Sequence, residues 1–181
     1  MGILANLLAF QIGWFACVLG AAHGMPGLGA GVAVALSALH ITRAARAREE
    51  AIVIASAAAL GVVGDSAIAA SGLIHYDNGQ LVAGTAPYWI VAMWMIFATT
   101  LNVSLRWLRG RWALAAGLGA LAGPLAYFAG ARLGAASFPA GPAGGLLAIA
   151  FEWIIAMPLL MLIAERHDGI SSAVDAEDSR A

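Results

Sequence analysis

Apolar runs long enough to cross a bilayer recur six times along the chain, and each is cut off by a short stretch carrying charge, glycine or proline. The runs extend from about Ile3 to Ala22, Pro26 to Thr42, Ala51 to Ile74, Pro87 to Leu108, Trp112 to Ala131 and Ala143 to Ala164. About twenty helical residues rising 1.5 Å each cover the roughly 30 Å of a hydrocarbon core, so each run predicts a spanning α-helix. The second is the shortest and reaches only about 25 Å. The breaks HGMPG, RAARAREE, HYDNGQ, RWLRGR and FPAGP hold groups that hydrocarbon rejects or that a helix does not continue. The expected fold is all-α: a polytopic membrane bundle of about six transmembrane helices with short loops over residues 1–165. Residues 166–181 are rich in Ser, Asp, Glu and Ala and are expected to form a solvated, disordered cytoplasmic tail.

Composition agrees with a bilayer as solvent. Hydrophobic residues make up 62% of the 181 and charged ones only 10%, with a mean hydropathy of +0.87. A net charge of -1 gives no basic face for phosphate backbones, so nucleic acid is not an expected partner. The arginines instead report orientation. Arg43, Arg46 and Arg48 form one cluster and Arg106, Arg109 and Arg111 another, two helices apart and hence on one face. Positive charge in short loops stays cytoplasmic, which predicts a bacterial inner-membrane protein with both termini inside. No basic residue precedes the first run, so it reads as a spanning helix rather than a signal peptide. Cys17 is the only cysteine, which excludes an intramolecular disulfide or a thiolate metal cage. His23, His40 and His75 lack metal-ligand spacing, and neither metal nor cofactor is expected. Trp89, Trp107 and Trp112 read as an interfacial belt.

Candidate chemistry lies in the middle of the runs. Asp65 and Glu152 fall in the third and sixth, each about nine residues, or roughly 13 Å, from the end away from the arginines. Both lie on stripes of small residues that mark helix contacts in lipid: Gly61, Ala69 and Gly72 beside Asp65, Gly145 and Ala148 beside Glu152. Tyr127 shares a stripe with Ala116, Ala120, Gly123, Gly130 and Gly134. GxxxG spacing occurs at Gly27 and Gly31, Gly119 and Gly123, and Gly130 and Gly134. Charge at mid-membrane costs at least about 2.5 kcal/mol, so such carboxyls face the bundle interior and mark either a functional polar layer or a structural clamp. Gln11 and Trp94 fall in or near the same layer, and Asn102 lines the fourth run with Thr99 and Arg106. Arg132 ends the fifth run on that side and is a candidate to pair with a carboxylate or a lipid headgroup.

The segments FQIGWFACVLG, PYWIVAMWMIFATTLNVSL, GPLAYFAGARLG and the pair EW resemble a family of small bacterial inner-membrane proteins known only as domain of unknown function 2878. The resemblance covers nearly the whole chain apart from the tail, and its motif positions include Gln11, Trp14, Asp65, Trp94, Asn102, Tyr127 and Glu152. It implies class and location and assigns no activity, although it suggests an association with modification of membrane fatty acyl chains. Three functions stay open. The first is an accessory protein that holds a membrane lipid or a membrane-protein partner through the polar layer, in keeping with the absence of any nucleophile, metal or nucleotide motif. The second is a small transporter or flippase built from two inverted halves of three helices. The third is a membrane-embedded enzyme acting on acyl chains, with Asp65 or Glu152 as general acid or base and Arg132 on a headgroup.

Overall fold

A computed structural model describes residues 2–170, and every regular element in them is helical. The elements are α1 (Ile3–Ala22), α2 (Pro26–Arg43), α3 (Ala47–Ala70), α4 (Tyr88–Ala98), a single 3-10 turn (Arg106–Leu108), α5 (Trp112–Arg132) and α6 (Pro142–Arg166). Four of them, α1, α3, α5 and α6, are long and apolar enough to cross a membrane. Large apolar side chains such as Leu4, Val63, Leu147 and Phe151 point outward from these helices, as lipid-facing surfaces require. The chain is thus a helical membrane bundle.

Local chemistry accounts for the boundaries. Pro26 and Pro142 open α2 and α6 at positions where a missing N–H costs nothing. Glu49 and Glu50 occupy the first turn of α3, where the helix dipole favours negative charge, so this helix starts four residues earlier than expected. It also ends four residues earlier, because Gly72 takes the left-handed conformation just past it at φ 75°. Asp65 therefore lies five residues from the end of α3, about 8 Å rather than 13 Å.

The fourth expected span is the main departure. Its α-helix stops at Ala98 after 11 residues, about 16 Å. Thr99 and Thr100 donate their hydroxyls back to the carbonyls of Ile96 and Phe97, and three-residue backbone bonds replace the helical ladder through Val103. Irregular backbone survives at membrane depth only where protein encloses it. Ala98 to Asn102 are indeed buried, and Asn6 of α1 donates to the Thr99 carbonyl while accepting from Ser104.

α4 forms the centre of the bundle, packed on α1, α2 and α3. α1 pairs with α2, where Gly29 lies so close to Ala16 and Cys17 that no Cβ would fit. α5 leans almost wholly on α6, with Gly119 and Gly123 against Trp153. Of the three GxxxG pairs only this one makes a tight contact at both glycines. Gly31 has open space around it, and Gly134 sits in the turn after α5. The buried ridge of α5 runs through Ala115, Gly119, Gly123, Tyr127 and Gly130, one residue out of register at its start from the expected stripe. Inverted halves would pair α4 with α5 as α1 pairs with α2, yet α4 and α5 share no extensive contact.

The ends differ in character. At one, His75 and Ser137 exchange two backbone hydrogen bonds of 2.8 and 2.9 Å, joining the segments that follow α3 and α5. At the other, both arginine clusters meet the residues after α6. Arg106 and Arg109 each pair with Asp168 at 2.9 Å, and Arg46 donates to the Asp168 and, through its backbone, Gly169 carbonyls. Arg166 still belongs to α6 and residues 167–169 are held against the bundle, so the expected tail boundary moves; residues 171–181 lie outside the described residues.

Candidate functional site

Asp65 is fully buried and is reached from three elements. Trp94 of α4 donates its indole N–H to Oδ2 at 2.7 Å, and the Tyr127 hydroxyl of α5 donates to Oδ1. Tyr76, from the segment after α3, approaches Oδ1 at 3.4 Å. Gly61, one turn before Asp65, leaves the space that the Trp94 indole occupies. An indole N–H can only donate, and two hydroxyls in the donor role complete a cradle that an anion, which only accepts, satisfies in full. Burial, with the carboxylate of Asp65 beside it, holds the Tyr76 hydroxyl well above the usual phenol range, so it stays a donor.

Glu152 has no such cradle. Its carboxyl lies over Gly64 of α3, both oxygens are buried, and neither has a hydrogen-bond partner among the described residues. The neighbouring Trp153 indole N–H is also buried and unpartnered. Trp153 stacks on Trp94 with ring centroids 4.6 Å apart, and Phe97 meets both rings edge-on. The two acidic residues thus belong to one region of α3, α4 and α6, one fully satisfied and one not.

A cleft runs alongside this region. α5 approaches α1 near Gly130 and Val18, and the space between the two helices is floored by α4 and by Trp153 of α6. Its inner part, about 70 Å³, is lined by Trp14, Tyr76, Trp89, Trp94 and Tyr127 among others. Its wider part, about 430 Å³, continues toward the arginine end past Leu7, Leu118, Leu105 and Trp107. Phe10, Phe97, Ala126 and Trp153 line both. The walls are almost wholly apolar, and half-exposed Leu7 and Trp107 leave the wider part open to lipid.

The remaining candidates lie elsewhere. Gln11 is exposed on α1 and does not line the cleft. Arg132 is exposed at the end of α5, and no ion pair among the described residues joins it to either carboxyl. Trp89, expected in an interfacial belt, is buried against Tyr76 with rings 5.6 Å apart, whereas Trp107 and Trp112 are exposed. Asn102 is at the arginine end, donating to Glu50 at 2.6 Å.

Glu50 is the residue that sequence reasoning missed. It is fully buried, accepts from His40 at 2.7 Å and from the Gly169 N–H at 2.9 Å, and anchors a network with Asn102, Arg109 and Asp168. A signal existed, because Glu50, Ile54, Ala57, Gly61, Asp65 and Ile68 form one stripe at helical spacing. Tyr76 had none, since it lies in a loop. Of the six arginines read as orientation signals, Arg46, Arg106 and Arg109 serve this network, and Arg111 lies 5.9 Å from the Trp107 ring centre. No group of three or more His, Cys, Asp or Glu among the described residues is placed to hold a metal ion.

The family model described as protein of unknown function, DUF2878, matches residues 3–159. No curated protein and no solved structure matches the chain.

Proposed function

We propose, starting from a chain that belongs to the DUF2878 family of proteins of unknown function, that it is a lipid-associated component of the bacterial inner membrane that holds an amphiphile in the cleft between α1 and α5. The observation that carries this reading is the cleft itself. It joins an apolar trough, open to lipid and able to take a hydrocarbon chain, to an aromatic inner end backed by the hydrogen-bonded Asp65 carboxyl. The arginine end, with both termini, faces the cytoplasm in this reading, since positive charge in short connections is retained there.

A transporter of two inverted halves is less well supported, because α4 is short and does not pair with α5. An acyl-chain enzyme working in this cleft is less well supported, because the oxygens of Asp65 are already engaged and Glu152 does not line the cleft.

The test is lipid retention. The protein purified in mild detergent should carry a lipid or lipid-like species enriched over its share of the whole membrane, read by mass spectrometry. Ala126→Trp, which fills the wall common to both parts of the cleft, should remove most of it. Ile12→Trp on the outward face of α1 should not. Bound lipids that mirror the bulk membrane in all three proteins would refute the reading.

A further inference from the structure

The inner end of the cleft combines an aromatic lining with a buried carboxyl behind it. Its lining is dominated by aromatic side chains, with Trp14, Trp89, Trp94 and Trp153 accounting for four of the six tryptophans of the chain. None of its lining residues is basic. Behind that lining stands the Asp65 carboxyl, held by neutral donors and with no cation among the described residues paired to it. A buried anion without a counter-ion makes the adjoining space favourable for positive charge, and low dielectric strengthens that preference.

The aromatic rings convey the same preference. A cation is attracted to the face of Trp or Tyr by the ring quadrupole, and aromatic boxes are a recurrent way to bind quaternary ammonium groups. Here Trp94 and Tyr127 do more than line the space. Each donates its polar hydrogen to Asp65 and so takes up electron density from the anion, which makes its ring face a better partner for a cation.

From this we infer that the aromatic end of the cleft binds an organic cation of the quaternary or alkylated ammonium class, the head of an amphiphile whose apolar part lies in the wider trough. The inference deepens the proposed function and rests on the same cleft, but it makes a separate claim about charge.

A matched pair of probes isolates that claim: benzyltrimethylammonium and its neutral isostere neopentylbenzene, which differ in charge at nearly constant shape. Equilibrium dialysis against the full chain in dodecyl maltoside, corrected with empty micelles, should show saturable binding of the cation at least about tenfold tighter than the isostere, as expected for a desolvated cation in an aromatic box near an anion. Asp65→Asn keeps the shape and acceptor oxygen while removing the charge, and it should lower affinity for the cation toward that of the isostere. Should that variant fail to fold, Trp14→Leu, on the half-exposed outer wall, should weaken the cation by about tenfold while leaving the isostere less affected.

Equal binding of the two probes, no saturable binding of the cation, or unchanged affinity in folded Asp65→Asn would each overturn the inference. Retention of an enriched neutral lipid with no selection for the cation would sink this inference and leave the proposed function standing. Cation binding without any enriched lipid would do the reverse.

Discussion

Glu50 and Glu152 are both carboxyls inside an apolar bundle, yet their surroundings are opposite. Glu50 is engaged by His40, Asn102 and the Gly169 N–H, whereas both oxygens of Glu152 are buried without a partner. Removing one member of a satisfied network strands the others, at about 3–5 kcal/mol for a buried pair, while replacing an unsatisfied group by an apolar one of similar shape is close to neutral or stabilising. Glu50→Met should therefore lower the thermal midpoint in detergent sharply, and Glu152→Met should hold or raise it. A large loss of stability in Glu152→Met would show that its carboxyl has a structural partner after all. That contrast was half legible in the sequence. The acids in the long apolar runs stood out because hydrocarbon makes them costly, and the small residues in register with Asp65 pointed it inward. Glu50 was hidden because RAARAREE reads as a polar break, although the buried stripe of α3 continues back to it. Tyr76 could not be placed from sequence, since a loop has no periodicity and its inward turn depends on Trp89 and Asp65 being already in position. Gln11 failed for the opposite reason: depth along a helix can be counted, but which side of α1 the rest of the bundle covers depends on α2 and α4.

Six helices follow from six apolar runs, and their limits hold to within a few residues except in α4. An apolar run states that a segment lies in hydrocarbon or protein, not that its ladder is unbroken. After α4 the break is built by Thr99 and Thr100, whose hydroxyls bond back to carbonyls of the preceding turn, and by Asn6 of α1, which is 93 positions away and invisible to any local pattern. Glycine spacing was similarly ambiguous, because GxxxG marks a close approach only when another helix is there. A Cβ on Gly123 would collide with the Trp153 indole, and one on Gly31 would meet nothing. Gly123→Ala should cost about 1–3 kcal/mol through overpacking of α5 on α6. Gly31→Ala should be neutral or stabilise by up to about 1 kcal/mol through helix propensity. Thermal midpoints of the two variants, measured in the same detergent, check the assignment of contact faces; equal effects would contradict it.

The two ends of the bundle are chemically unlike, and this asymmetry bears on how the cleft meets the membrane. Arginines from two connections converge on Asp168 at one end, so part of the positive charge that would orient the chain is also used to hold the residues after α6 in place. At the other end the chain closes through the His75–Ser137 bridge, with Leu81 and Val82 at 84% and 65% exposure on the loop before α4. Positive charge retained inside would make that loop face outward. The aromatic end of the cleft, lined by Tyr76, Trp89, Ala135 and Ala136, would then lie nearer the outer leaflet, and the wider trough nearer the inner one. Orientation can be read with single cysteines, because native Cys17 is fully buried and should contribute little background. A membrane-impermeant maleimide added to intact spheroplasts should label Leu81→Cys and spare Arg48→Cys, which should react only once the membrane is opened. The reverse pattern would place the arginine end outside, and the head of any bound amphiphile would then have to be supplied from the cytoplasmic leaflet.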